Sequence, residues 1–171
     1  QNSDGTIEQL MDTPDYEGMP KWSPDGTRIA YICYNKQMIC IVTLENREFQ
    51  ILQMNDDDSF FWQSNLSTRR GVDWVTIIDM DWYSKGEKIA LILNYGASQD
   101  KQLCLLDVLT ANMDCIVKGP EIESMAWSPT GEEIAYINRD LFVIDISNGT
   151  STQLTDLPEN VRISGIDWTS E

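Results

Sequence analysis

The sequence contains no histidine. Histidine is the usual base of Ser-His and Cys-His catalytic pairs and the commonest side-chain metal ligand, so its absence excludes hydrolysis by such a triad. A Gly-rich phosphate loop, zinc-ligand spacing and an EF-hand loop are also missing. Paired carboxylates are the remaining route to catalysis, and nothing in the sequence singles out one pair. We therefore expect no enzymatic activity, no cofactor and no metal site.

Basic residues are scarce, with 12 Lys and Arg against 28 Asp and Glu, and the net charge is −16. A negative field repels phosphate backbones and anionic lipid, so nucleic acid is excluded as an expected partner. No apolar run approaches the ~18 residues of a membrane helix, and the first ten residues lack the features of a signal peptide. At 171 residues, the chain is expected to form a single domain over residues 1–171 without membrane insertion.

The chain repeats itself. The segment KWSPDGTRIAYI from Lys21 recurs as DWYSKGEKIALI from Asp81 and as AWSPTGEEIAYI from Ala126, followed by a truncated DWTSE from Asp167. The repeat units begin near residues 19, 79 and 124, a period typical of propeller blades. Each unit has one marker tryptophan, at Trp22, Trp82, Trp127 and Trp168.

Each unit contains the elements of one propeller blade. After the tryptophan comes a turn such as Pro24-Asp25-Gly26, then a short apolar strand. A third apolar run, a turn such as Asn148-Gly149 and a fourth strand complete the unit. Four antiparallel strands make a blade, so we predict an all-β β-propeller chain with three blades, half of a six-bladed ring.

The phrase WSPDGTRIAY, followed by a strand ending in Ile-Asp and a Gly-containing turn, resembles the repeat of TolB-like propellers. More loosely, it resembles the propeller of prolyl-oligopeptidase-type enzymes. The resemblance covers nearly the whole chain, although the second unit has Tyr83-Ser84-Lys85 in place of the Ser-Pro-Asp step. It implies an extracytoplasmic bacterial protein, periplasmic or secreted, that takes part in protein–protein contacts.

The two ends of the sequence correspond to different strands of a blade. The segment SDGTIEQLMD from Ser3 aligns with the outermost strand at SNGTSTQLTD, and the end VRISGIDWTSE aligns with an innermost strand. Unpaired strands are prone to aggregation, which favours closure of the ring. We expect seams at Ser3–Asp12 and Val161–Glu171, formed with a second copy in a homodimer or with the remainder of a longer propeller.

An insertion over residues 54–74 separates the first two units. Loops on a rigid propeller often mediate recognition, and clusters of aromatic residues with Arg resemble binding hot spots. The alternative is that these aromatics plug the ring or pack across a subunit interface. The candidate binding residues are Asp56, Asp57, Asp58, Phe60, Phe61, Trp62, Arg69 and Arg70.

Four cysteines form two close pairs, Cys33 with Cys40 and Cys104 with Cys115. For a hairpin centred near Lys36-Gln37, the first two would face each other across neighbouring strands, whereas the second two would lie diagonally, a less favourable geometry. Each bridge would stabilise the fold by roughly 2–3 kcal/mol. The alternative is four buried free thiols in a reduced protein.

These observations favour a non-catalytic TolB-like propeller that binds another protein, with the 54–74 loop as its contact. Two alternatives remain. One is that the segment is the substrate-gating propeller of a larger prolyl-oligopeptidase-type hydrolase. The other is that it binds a small molecule or sugar in the channel of the ring.

Overall fold

The computed structural model describes residues 5, 7, 9–10, 17–33, 38–52, 75–95 and 100–169. These residues form three four-stranded antiparallel sheets, which confirms the predicted all-β propeller architecture. None of the described residues belongs to a helix that could cross a membrane.

Each sheet is built from four consecutive strands in sequence order. Blade 1 comprises β1 (Gly18–Trp22), β2 (Arg28–Cys33), β3 (Met38–Thr43) and β4 (Phe49–Leu52). Blade 2 comprises β5 (Val75–Trp82), β6 (Lys88–Tyr95), β7 (Asp100–Asp107) and β8 (Met113–Gly119). Blade 3 comprises β9 (Ile122–Trp127), β10 (Glu133–Asn138), β11 (Asp140–Asp145) and β12 (Ser151–Gln153).

The turn after each marker tryptophan has the same backbone in all three blades. In blade 1, Gly26 N–H donates to Ser23 O and Ser23 N–H donates to Arg28 O; equivalent bonds close the turns of blades 2 and 3. The glycine of each turn has a positive φ, between 68° and 75°, which explains its recurrence in the repeat. Blade 2 keeps this turn although Tyr83 replaces the serine whose hydroxyl accepts the Arg28 N–H in blade 1.

The core lies between the blades. One apolar cluster joins blades 1 and 2 and includes Ile41, Trp82 and Leu91, and a second joins blades 2 and 3 and includes Ile92, Trp127 and Ile134. The first strands of neighbouring blades also contact each other, β1 with β5 and β5 with β9. Because each strand alternates its side chains between two faces, the uninterrupted apolar runs of the repeat supply both clusters at once.

Candidate functional site

The residues predicted for binding all lie in the 54–74 loop and are outside the residues that the structure describes. The binding role of the insertion therefore remains a prediction. The described blades present other surfaces.

The four cysteines form the two predicted disulfides, Cys33–Cys40 and Cys104–Cys115. Their relative geometry is the reverse of the expectation. Cys33 lies opposite Met38, so the first bridge is diagonal, with its Cα atoms 6.0 Å apart. Cys104 lies directly opposite Cys115, with Cα atoms 3.9 Å apart, because the register of β7 and β8 shifts between Leu103 and Cys104. Direct and diagonal neighbours on one face differ by two residues, so each cysteine lies two positions from its expected register, which sequence spacing alone does not reveal.

Two of the marker tryptophans contact the preceding blade. Trp82 is 4% exposed, and its indole Nε1–H donates to the Lys21 carbonyl oxygen of blade 1 at 3.0 Å. Trp127 is 6% exposed and packs against Tyr83 of blade 2, with ring centroids 5.1 Å apart. The equivalent Trp22 of blade 1 is 61% exposed. The same side chain is therefore core in two blades and surface in the other.

Trp22 belongs to an apolar sheet face that points away from blade 2. Residues directly opposite each other in antiparallel strands share a face, and the pairing Trp22–Ile29–Val42–Phe49 crosses all four strands of blade 1. We call this surface the open face of blade 1, because no other described blade packs on it; it comprises Trp22, Ile29, Tyr31, Cys33, Met38, Cys40, Val42, Phe49 and Ile51. Its centre is buried, whereas Trp22 at one edge and Phe49 and Ile51 at the other are exposed by 61%, 52% and 45%.

A second surface on which no other described blade packs lies on blade 3. A pocket of about 520 Å³ is lined by residues of β10 to β12 and by Trp168. Leu154, on its wall, is 57% exposed, whereas Leu52 at the same place of blade 1 is 2% exposed beneath blade 2. The pocket thus occupies the position where the next blade would pack.

Two carboxylates link the first strands of blades 2 and 3. One oxygen of Asp81 accepts the Trp82 N–H and the other accepts the Trp127 N–H at 3.3 Å. Asp79 binds the Met80 and Met125 N–H groups in the same way. Burial raises the pKa of both carboxyls, and the backbone donors and the nearby Lys21 oppose the rise.

These carboxylates are occupied by backbone donors, so their arrangement supports the blade contact and offers no free pair for catalysis. Among the residues described, no group of three or more metal-ligating side chains comes together. The roles of Asp79 and Asp81 were not predicted, because the other two units have no acidic residue at the equivalent positions; the only signal was their alternation beside Trp82.

Comparison with known proteins agrees with this architecture. The family model described as the dipeptidyl peptidase IV N-terminal region matches residues 84–171, just over half of the chain. A TolB homologue from Chlorobium luteolum is 26% identical over 152 residues, which cover 85% of this chain and 30% of the homologue.

Solved structures show the same fold. TolB from Acinetobacter baumannii aligns with a TM-score of 0.63 at 16% identity, covering 90% of this chain and 36% of that structure. The propeller domain of the Trilobed protease from Pyrococcus furiosus aligns with a TM-score of 0.61 at 13% identity, covering 85% and 44%. The chain therefore spans less than half the length of each relative.

Proposed function

The chain belongs to the dipeptidyl peptidase IV N-terminal region family, and from that membership and its TolB-like β-propeller fold we propose that it is a non-catalytic scaffold that binds another protein. The observation that supports this proposal most is the open face of blade 1. A tryptophan that the repeat buries twice is 61% exposed there, on the same face as two further exposed apolar residues, Phe49 and Ile51. Exposed aromatic anchors on a rigid sheet are typical of protein-binding surfaces.

The 54–74 loop is the second proposed contact. Its aromatic and Arg residues, with Phe61, Trp62 and Arg69 at the centre, have the composition of interface hot spots. The loop follows β4, the strand that supplies Phe49 and Ile51 to the open face.

The scaffold is proposed to complete its ring with a second copy of the chain, or with further blades of a longer propeller. The open face of blade 1 and the pocket on blade 3 are the two halves of a blade contact, and the chain carries both. Light scattering gives the molar mass that tests the homodimer: twice 19.5 kDa supports it, and 19.5 kDa at all concentrations contradicts it.

An extracytoplasmic location is part of the proposal. Two disulfides in one chain are typical of oxidising compartments, because cytosolic thiols are kept reduced.

Partner capture with matched baits tests the binding function. The chain, its Trp22→Ser variant and its Leu109→Ser variant are immobilised and exposed to cell-envelope extract from a bacterium that encodes it. Leu109 is 91% exposed in the turn after β7, so its removal controls for the loss of an exposed apolar side chain elsewhere. We expect proteins retained by the wild type and Leu109→Ser but lost from Trp22→Ser. Equal retention by all three baits would contradict the proposal.

A second candidate function is a propeller that gates substrates for a hydrolase. It is favoured by the family match at residues 84–171 and by the likeness to the propeller domain of a protease. An α/β-hydrolase domain with a Gly-x-Ser-x-Gly elbow in the same reading frame would support it. If the gene encodes no such domain, protein binding is the only one of the two candidate functions that is still supported.

A further inference from the structure

The two disulfides differ in how solvent reaches them. Cys33 and Cys40 are 4% and 2% exposed and join the two central strands of blade 1. Cys104 is fully buried in the cluster between blades 1 and 2, but its partner Cys115 is exposed. One disulfide therefore joins two buried residues, and the other joins a buried residue to an exposed one.

The open end lies on the last strand of its sheet. Strand β8 pairs with β7, and within the described part of blade 2 its other edge has no strand partner. The ladder between the two strands is interrupted beside the bridge, where the register shifts at Cys104. Such an irregularity locally disrupts the ladder, so an external thiol approaching Cys115 meets an irregular hydrogen-bond network and, among the described residues, no strand paired with the outer edge of β8.

Thiol–disulfide exchange needs this kind of access, because a thiolate must reach one of the two sulfurs. We propose that Cys115 is a thiol-exchange site, at which an external thiol or dithiol reductase forms a mixed disulfide, while Cys33–Cys40 stays intact. This inference concerns blade 2 and does not depend on the proposed binding function.

The reaction balances with a dithiol as reductant. Its thiolate forms a bond to Cys115 Sγ, the Cys104–Cys115 bond breaks, and Cys104 leaves as a thiolate that takes up a proton from the solvent, to which the reductant's thiol had released one. The second thiol then attacks the reagent's sulfur in the mixed disulfide and releases Cys115. The reductant becomes a cyclic disulfide, and the protein bridge gains two electrons and two protons.

Glutathione and dithiothreitol are the probes, and the second disulfide of the same molecule is the internal control. After a timed exposure of the native chain, free thiols are alkylated and mapped by peptide mass spectrometry. We expect Cys104 and Cys115 to be freed at least about tenfold faster than Cys33 and Cys40, and the glutathione adduct to lie on Cys115. Equal rates, faster opening of Cys33–Cys40, or an adduct on Cys104 would overturn the proposal.

Repeating the measurement in urea concentrations below the unfolding transition separates local access from global unfolding. Exchange at an exposed sulfur depends little on urea, whereas exchange through the unfolded chain accelerates steeply for both bridges. We expect a nearly constant rate for Cys104–Cys115 and a rising rate for Cys33–Cys40. A steep rise for both would show that Cys115 is reached only by unfolding, which contradicts the site.

Discussion

Arg28 connects blade 1 to blade 2 through two contacts of one side chain. Its Nη2 donates to the Gly86 carbonyl oxygen at 2.8 Å, and its guanidinium carbon lies 5.0 Å from the centroid of the Trp82 ring. A planar guanidinium can do both at once, whereas the ammonium of lysine is a compact charge that cannot stack in the same way.

Replacing Arg28 is expected to weaken the contact between the two blades. We expect Arg28→Ala to lower the free energy of unfolding by about 1–2 kcal/mol, from the loss of one hydrogen bond and one cation–π contact. Arg28→Lys keeps the charge and should recover only part of the loss. Urea unfolding followed by circular dichroism measures both. Equal stability of all three proteins would show that the side chain does not stabilise the blade contact.

The carboxyls of Asp79 and Asp81 give stability a particular pH dependence. Burial raises their pKa in the folded state, so the folded protein binds protons more readily there than the unfolded chain does. Their contribution to stability is therefore fully present below the unfolded pKa and is lost as pH rises through the raised value. The exposed carboxyl in the turn of blade 1 has the opposite effect on the pH dependence of stability. Hydrogen bonds from Ser23 and Thr27 lower the pKa of Asp25 to about 2, so its contribution is lost as pH falls.

The Asp81→Asn variant isolates this effect. At acidic pH it should be less stable than the wild type, because the amide oxygen can accept only one of the Trp82 and Trp127 backbone N–H groups and the amide nitrogen cannot accept, whereas both oxygens of the protonated carboxyl keep acceptor capacity. We expect the difference in free energy of unfolding between the two proteins to become smaller as pH rises from about 4 to 7. Only the wild type is then destabilised by a buried charge. Urea unfolding across this range is the measurement, with the exposed Asp156→Asn as control. A gap independent of pH would contradict the assignment.

At the scale of the element, the turn after the marker tryptophan has two roles in this chain. In blade 1 it is an exposed loop, and a Cβ added at Gly26 would meet no atom within 4 Å. In blade 3 it packs onto blade 2, and a Cβ added at Gly131 would overlap the ring of Tyr83. The two glycines share a similar positive φ, so they differ mainly in packing.

Alanine at these two positions separates backbone strain from packing. We expect Gly26→Ala to cost about 1–2 kcal/mol, from the left-handed backbone alone. Gly131→Ala should cost about 1–3 kcal/mol more, because the methyl group displaces Tyr83 from its contact with Trp127. Thermal and urea unfolding give both values. Equal losses in free energy of unfolding would mean that the turn of blade 3 does not pack tightly against blade 2.

At the scale of the whole molecule, the marker tryptophans report which blade faces are covered. Trp82→Ala should lower the free energy of unfolding by about 3–5 kcal/mol, as expected for a large side chain removed from a core. Trp22→Ala should cost less than about 1 kcal/mol in dilute solution, because the side chain is mostly in water.

Concentration then tests whether a second copy covers the open face of blade 1. Binding to the folded state stabilises it by mass action, so the Tm of the wild type should rise with protein concentration. The Tm of Trp22→Ala should stay constant over the same range, and Leu109→Ser should behave like the wild type. A wild-type Tm that does not change with concentration would contradict self-association through this face.

The repeat alone was enough to predict the blade architecture. The WSPDG-type turn, with glycine at a positive φ, and the apolar run after it recur three times, and turn geometry and strand alternation are local properties. The pairing of the cysteines was predicted for the same reason, since each pair lies on neighbouring strands. Their direct or diagonal placement was not, because it depends on the strand register, which is regular at Cys33 and Cys40 and shifts between Leu103 and Cys104.

What only the tertiary structure decided is which copy of a repeated residue is core and which is surface. Trp22, Trp82 and Trp127 are equivalent in sequence, yet two are buried and one is exposed, because burial depends on whether a neighbouring blade covers that face. The same holds for the equivalent residues Leu52 and Leu154. The tertiary structure also decided that, within one disulfide, Cys104 is buried and Cys115 is exposed. Local sequence determines the blade, and contacts between blades determine where a partner or a thiol can reach it.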